Sequence, residues 1–176
     1  DFALDPVALE ALVSERTRVL LMNSPHNPTG HVFSARELEA IAKIAIKHDL
    51  WVISDEVYEH LTYDGLQHRS IASLEGMRER TLIISSAGKT FSFTGWKIGW
   101  AFGPAQMVAA VQAAHQFITF ATSTPMQVAL GRFLSTLGDD FYATLSREYQ
   151  ARRDRLLPVL REVGFAGPHM LGDRAR

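Results

Sequence analysis

Ser85-Ser86-Ala87-Gly88-Lys89-Thr90-Phe91-Ser92-Phe93-Thr94-Gly95-Trp96-Lys97-Ile98-Gly99-Trp100 is the stretch around which the rest of this chain is read. It follows Thr81-Leu82-Ile83-Ile84, an apolar run with the length of a buried strand. Two lysines, several hydroxyls and three glycines lie within it. Apolar residues on both sides predict that Lys89 is walled in rather than displayed to water. A desolvated lysine loses the hydration that keeps it charged and becomes a nucleophilic amine, fit to attack a carbonyl carbon. A lysine in a loop is nevertheless a solvated surface residue far more often than a catalyst. Partners elsewhere in the chain must decide.

Upstream, Asp5-Pro6 reads as a helix start, with a side-chain acceptor at the N-cap and a fixed φ behind it. Arg18 to Met22 reads as a fully buried strand, and Asn23-Ser24-Pro25-His26-Asn27-Pro28-Thr29-Gly30 as a loop with two X-Pro steps. Ser34 with Glu37 is a capping box. The helix it opens aligns Leu38, Ile41, Ala42, Ala45 and Ile46 at the 3.6-residue period. Trp51-Val52-Ile53-Ser54 is the next strand, and Asp55 to His60 a loop entering a short helix. Downstream, Ile98 to Phe102 is a fourth strand. Pro104 opens a helix to about Phe120 with Met107, Val108, Val111, Ala114 and Ile118 as its buried side. A further helix runs from Thr124 to near Gly138. The last spans Asp139 to about Val163, where Pro158 is expected to kink or restart it and the charges from Arg147 to Arg155 form a solvated face. Short all-apolar strands joined by amphipathic helices predict an α/β fold, a mostly parallel sheet covered on both faces.

The totals exclude several classes. With 47% apolar and 21% charged residues, the composition is that of an ordinary globular domain. A formal net charge of -1 gives no electrostatic case for nucleic acid or an anionic membrane. There is no cysteine, hence no disulfide framework and no thiolate metal site, which fits a reducing cytoplasm. The histidines show no metal-ligand spacing, so no metal is assigned. No apolar run is long enough to span a bilayer as a helix.

In a parallel sheet, ligands sit outside the carboxyl ends of the strands. Asn27 lies just past the first strand, Asp55 and Tyr58 past the second, Ser86 and Lys89 past the third. An amide, a carboxylate, a phenol, a hydroxyl and an amine are therefore expected at one sheet edge. Trp96 and Trp100 are read as packing residues, His26 as a turn residue, and Gly95 and Gly99 as points of close backbone approach. A cis bond at Pro25 or Pro28 is left open.

Three blocks, Asn27-Pro28-Thr29-Gly30, Ser54-Asp55-Glu56-Val57-Tyr58 and Ser86-Ala87-Gly88-Lys89 continuing to Gly95-Trp96-Lys97-Ile98-Gly99, resemble the class I and II aminotransferases, which are built on the large fold group that binds pyridoxal 5'-phosphate (PLP). Lys89 to Gly99, together with His115 to Thr122, resembles the kynurenine, glutamine and methionine aminotransferase branch in particular. The resemblance implies a PLP enzyme that transfers an amino group from an amino acid to a 2-oxo acid. It implies that Lys89 carries the cofactor as a Schiff base and then moves the substrate's proton, and that Asp55 pairs with the pyridine nitrogen. It also implies that Asn27 and Tyr58 bind the ring's phenolate oxygen, and that Ser86 and Lys97 bind the phosphate. Many relatives have arginine at the position of Lys97; lysine keeps the charge and gives up the bidentate fork. A homodimer is implied too, with no nucleic-acid or membrane partner.

The same residues would serve a PLP-dependent β-lyase acting on cysteine conjugates, or a PLP-binding sensor domain of a transcription regulator. A hydrolase using Ser86 or Ser92 lacks the G-x-S-x-G elbow. Family members are much longer, so the chain is expected to be a fragment or a frameshifted product: residues 1–137 part of the PLP-binding large domain, residues 138–176 a connecting helix and the start of a small domain. Pro168 to Arg176 departs from the family where a small-domain strand should begin. Cut from its domain, such a sheet would expose an open edge and an apolar face; alone, the chain is expected to be poorly soluble or partly molten, without useful transaminase activity.

Overall fold

The computed structural model describes residues 2–165; the expectation for Pro168 to Arg176 lies outside the described residues. In chain order the elements are α1 (Pro6–Ala11), β1 (Val19–Asn23), α2 (Ala35–Lys47), β2 (Trp51–Asp55), β3 (Thr81–Ser86), α3 (Ala87–Thr90), β4 (Gly99–Phe102), α4 (Ala105–Ile118), α5 (Thr124–Leu134) and α6 (Phe141–Glu162). One sheet has the order β1-β2-β3-β4, its first three strands parallel and β4 antiparallel to β3. The expected α/β architecture is present. Residues 57–60 form turns rather than a short helix.

Local chemistry sets the helix starts. Asp5 accepts from Val7 N and Ala8 N, capping α1. Ser34 and Glu37 form both halves of the capping box at α2, and Glu37 also accepts from Leu4 N at 3.0 Å, pinning the N-terminal segment to that helix. Burial alone would raise the Glu37 carboxyl, but these hydrogen bonds outweigh it and hold the group below the ordinary carboxylate value. Leu38, Ile41, Ala42 and Ala45 pack with Met22, Leu50, Val52, Ile71 and Met77 into the main core. Each Leu or Ile so buried stabilises by about 1.5–3 kcal/mol. Ile46 is instead exposed and Ile44 buried, so the apolar stripe is rotated by a fraction of a turn from the expected one.

Two expectations about coverage fail. On β1, Val19 and Leu21 stay exposed, Leu21 at 72%, because the main core packs on the other face of the strand, where Leu20 and Met22 lie. The sheet is therefore covered on one face there, not both. No residue of α4 is buried, and Phe117 and Ile118 at its end are 87% and 79% exposed. Of its apolar side, Met107 and Val108 are partly covered, and Val111, Ala114 and Ile118 are exposed. A second small core joins Ala87, Ile98 and Leu130 with Phe91, Phe93 and Trp100. Trp96 touches Phe93 but is 41% exposed, so it is a rim residue.

α6 runs unbroken through Pro158. Its charged face is not wholly solvated, because Arg153 is the buried residue of this helix. Among the described residues no helix is long and apolar enough to cross a membrane.

Candidate active site

The carboxyl ends of β1, β2 and β3 are held in register, with Asn23 opposite Asp55 and Asp55 opposite Ile84. Register partners in parallel strands share a face, and alternate residues share it along a strand. Asn23, Asp55, Ile84 and Ser86 therefore lie on one face, Ser54 and Ser85 on the other.

The loop after β1 is tightly tied. His26 N bonds His31 O, Gly30 N bonds His26 O, and His26 Nδ1 lies 2.7 Å from Thr29 Oγ1, so His26 is the turn residue expected. Gly30 sits at φ 71, a backbone region that favours glycine. The Ser24-Pro25 and Asn27-Pro28 bonds are both cis. Across the loop, Asn27 Nδ2 donates to Tyr58 OH at 3.3 Å. These two predicted residues are in contact. They border a cavity of about 260 Å³ whose wall also includes Pro25, Leu61, Tyr63 and Tyr149. Asp55, Ser86, Lys89 and Lys97 lie outside that wall.

Asp55 is half-buried, and its Oδ1 accepts from Val57 N at 3.1 Å, which turns the chain toward Tyr58. No described group donates to its second carboxylate oxygen. Ser86 ends β3 as the N-cap of α3 and makes no side-chain cap bond. Lys89 is exposed, not walled in. The reason is local: α3 is one turn long, and its inner side is filled by Ala87, Gly88 and Thr90, all buried. The lysine at the remaining position faces outward, where an incoming aldehyde can reach it, and its amine has no partner among the described residues.

Lys97 is also exposed and adopts φ 56 after the Thr94–Trp96 turn. Thr94 Oγ1 donates to Gly88 O at 2.8 Å, and a Cβ on Gly88 would lie 3.0 Å from Thr94 Cα. That close approach ties the Lys97 segment to the Lys89 helix. Gly99 pairs with Ser86, so Lys97 stands two residues from the partner of Ser86. A Cβ on Gly99 would lie 3.0 Å from Ser85 O, the close approach expected there, whereas Gly95 has no atom within 4 Å of such a Cβ. Asp55, Ser86, Lys89 and Lys97 thus gather at the ends of neighbouring strands without touching one another.

Sequence reasoning missed a buried polar network on the opposite face. Glu56 is 2% exposed. Ser54 Oγ and Ser70 Oγ each donate to its Oε1 at 2.8 Å, and His68 Nε2 lies 2.9 Å from its Oε2. Strand periodicity held the signal, because Val52, Ser54 and Glu56 are alternate residues and all face inward. Glu59 is half-buried beside this network; burial, then the charge of Glu56, pushes its carboxyl up. Burial, then His68, pushes His60 down. Glu56, Glu59 and His68 have ligand atoms within 4.8 Å of one another. His68 Nδ1, however, is buried without a partner, whereas a metal-bound imidazole ordinarily donates its second N–H. Nε2–H donation to Glu56 accounts for the geometry without an ion.

Sequence reasoning also missed the tie at Arg153. Its Nη1 and Nη2 bond Asp64 at 2.6 and 2.7 Å, and its guanidinium lies 5.1 Å from the centre of the Tyr63 ring.

The donor set suits PLP. A spare carboxylate oxygen suits a protonated pyridine nitrogen, an unpartnered amine suits an aldehyde, an amide beside a phenol suits a phenolate oxygen, and a hydroxyl and an ammonium on neighbouring segments suit a phosphate.

Comparison with known proteins places the chain in a family. Residues 1–170 match the family model described as aminotransferase class I and II. A probable N-succinyldiaminopimelate aminotransferase of Mycobacterium tuberculosis is 53% identical over 165 residues, which cover 94% of this chain and 41% of that protein. Kynurenine–oxoglutarate transaminase 3 of Mus musculus is 43% identical, covering 94% and 38%. A solved structure of N-succinyldiaminopimelate aminotransferase from Mycobacterium tuberculosis superposes with a TM-score of 0.88 at 52% identity, over 92% of this chain and 42% of that one. The chain spans about two fifths of the length of these relatives.

Proposed function

This chain belongs to the class I and II aminotransferases, and we propose that it is the part of a PLP-dependent aminotransferase that grips the cofactor and moves an amino group from an amino acid to a 2-oxo acid. The observation that carries this reading is the placement of an unpartnered amine, Lys89, and a half-used carboxylate, Asp55, at the carboxyl ends of adjacent parallel strands. When bound, PLP supplies an electron sink for charge that develops at the substrate's α-carbon.

The residues' own work follows from their positions. Asp55, through its spare oxygen, holds the proton on the pyridine nitrogen, since a carboxylate within bonding distance favours the charged form of its partner. Lys89 Nζ would hold the cofactor and would accept the proton that leaves the substrate's α-carbon. Asn27 Nδ2 and Tyr58 OH bind the phenolate oxygen, each already steadied by the other. Ser86 Oγ and Lys97 Nζ bind the phosphate. Residues 1–137 belong to the large domain, and residues 138–176 lead toward the small one. The complete protein would work as a cytoplasmic homodimer.

The test is an absorbance scan of the complete protein with PLP, followed by amino transfer from an amino acid to 2-oxoglutarate. A visible band that vanishes in Lys89→Ala, with amino transfer lost at the same time, supports the reading. A band unchanged in Lys89→Ala sinks it.

A further inference from the structure

Asn23 ends β1 in register with Asp55, and its half-buried carboxamide makes two bonds of opposite sense. Nδ2 donates to the backbone carbonyl of Asp55 at 2.9 Å. Oδ1 accepts from the backbone N–H of Asn27 at 2.9 Å. The circuit then closes on itself. Asn27 Nδ2 bonds Tyr58 OH, and Asp55 Oδ1 accepts from Val57 N, the turn that delivers Tyr58. One side chain thus connects the loop after β1 to the end of β2.

We propose that Asn23 is a positioning residue, whose carboxamide fixes the separation of Asn27 and Asp55 so that both can grip the same cofactor ring. The proposal rests on the PLP reading above for its consequence, but its geometry is the chain's own.

The residue type is what the geometry requires. A carboxamide presents one acceptor and one donor on a single planar group. An aspartate has the same shape but offers acceptors alone. It could keep the bond from Asn27 N–H, but it would set a carboxylate oxygen against the Asp55 carbonyl. Alanine loses both bonds and leaves the Asn27 N–H without its partner. Proline at 25 and 28 fixes φ on both sides of Asn27's neighbourhood, so a displaced backbone at Asn27 carries its side chain with it.

The experiment compares the complete wild-type protein with Asn23→Asp, Asn23→Ala and the core control Ile41→Val. Four readouts are taken: the PLP dissociation constant of the apoprotein, the pH midpoint of the bound cofactor's absorbance, the apoprotein's Tm, and hydrogen exchange at the Asn27 amide. Asn23→Asp should weaken PLP binding roughly ten-fold or more and shift the pH midpoint, because without the bond to the Asp55 carbonyl Asn27 and Asp55 no longer meet the ring together. Ile41→Val should lower Tm without moving either. In Asn23→Ala the Asn27 amide should lose its protection. Binding within two-fold of wild type and an unmoved pH midpoint in Asn23→Asp would overturn the proposal. Failure of both Asn23 variants to fold would also overturn it, since Asn23 would then be a stability residue. If the wild type itself binds no PLP, the functional reading falls instead, and the exchange readout alone decides: equal protection at Asn27 in wild type and Asn23→Ala refutes the positioning role, and lost protection sustains it.

Discussion

Asp64→Asn should loosen α6 without disturbing the sheet. Arg153 is 8% exposed at its side chain and Asp64 44%, so one partner is buried and the other half in water. Breaking a fully buried pair by removing one partner costs about 3–5 kcal/mol. An exposed pair contributes about 0–1 kcal/mol. Arg153 keeps a second acceptor in Asp154, at 2.8 Å from Nε and 2.7 Å from Nη2, which softens the loss. The expected cost is therefore about 2 kcal/mol, between those limits. Other ties remain: Ser146 Oγ donates to Thr62 O, and Asp64 N to Gln150 Oε1. The helix should open locally rather than leave. An opening free energy lower by about 2 kcal/mol raises amide exchange roughly 30-fold where opening is the limiting equilibrium.

The assay is native-state hydrogen exchange of the complete protein, followed on peptides from α6, with Arg153→Met and the double variant closing a cycle. The pH dependence has a definite sign. The Arg153 hydrogen bonds hold the Asp64 carboxyl below its ordinary value of 3.8. A depressed pKa means that the stabilisation is present above that value and is lost as pH falls through the lower, folded-state one. Wild type and Asp64→Asn should therefore differ at neutral pH and converge in acid. A change of less than three-fold in α6 exchange would refute the reasoning. So would an equal effect of Asp64→Asn when Arg153 is already methionine.

Three further substitutions probe the buried face and the sheet edge, one of them as a control. Glu56→Gln leaves the Ser54 and Ser70 hydroxyls an acceptor but sets an amide NH₂ against His68 Nε2–H, so the ring must move its proton to the partnerless Nδ1 or lose the bond. A cost of about 1–3 kcal/mol follows, read as a fall in apoprotein Tm of about 2–4 °C per kcal/mol; an unchanged Tm would show that the carboxylate's charge is not what holds the network. In Gly103→Ala the new Cβ would meet Thr81 O at 2.8 Å and Leu82 Cα at 3.1 Å, both backbone, so β3 and β4 must part. Gly95→Ala meets nothing within 4 Å. The urea midpoint should fall for the first and hold for the second, and equal midpoints would contradict the close approach.

The strands, the α2 capping box and the Asp5 cap were legible because each depends on a few adjacent residues. The positions of Asp55 and Ser86 at strand ends were legible for the same reason, since a strand end is a local feature. What depends on contacts between distant segments was not. Lys89 looked enclosed because apolar residues lie on both sides of it in sequence, yet a single helical turn leaves it exposed while Ala87, Gly88 and Thr90 are buried. Arg153 looked solvated among its charged neighbours, because Asp64 stands 89 positions away. The buried side assigned to α4 failed, since none of its residues is buried; a period says which residues would face a partner and not whether one lies there.

Asp55 and Glu56 show how far one strand can divide its labour. Two adjacent acids look interchangeable in sequence. The period of two sends Glu56 inward with Val52 and Ser54, where two hydroxyls and an imidazole use its oxygens and its charge serves packing. The same period sends Asp55 to the other face with Ile53, where it keeps one oxygen unused. A carboxylate whose hydrogen bonds are complete has little to offer a ligand, and one with an open acceptor at a strand end has a place for a donor. The register with β1 therefore sets the surroundings: a slip of one residue would exchange those of the two acids, burying Asp55 and exposing Glu56. Asn23, in register with Asp55 and bonded to its carbonyl, stands where it opposes that slip.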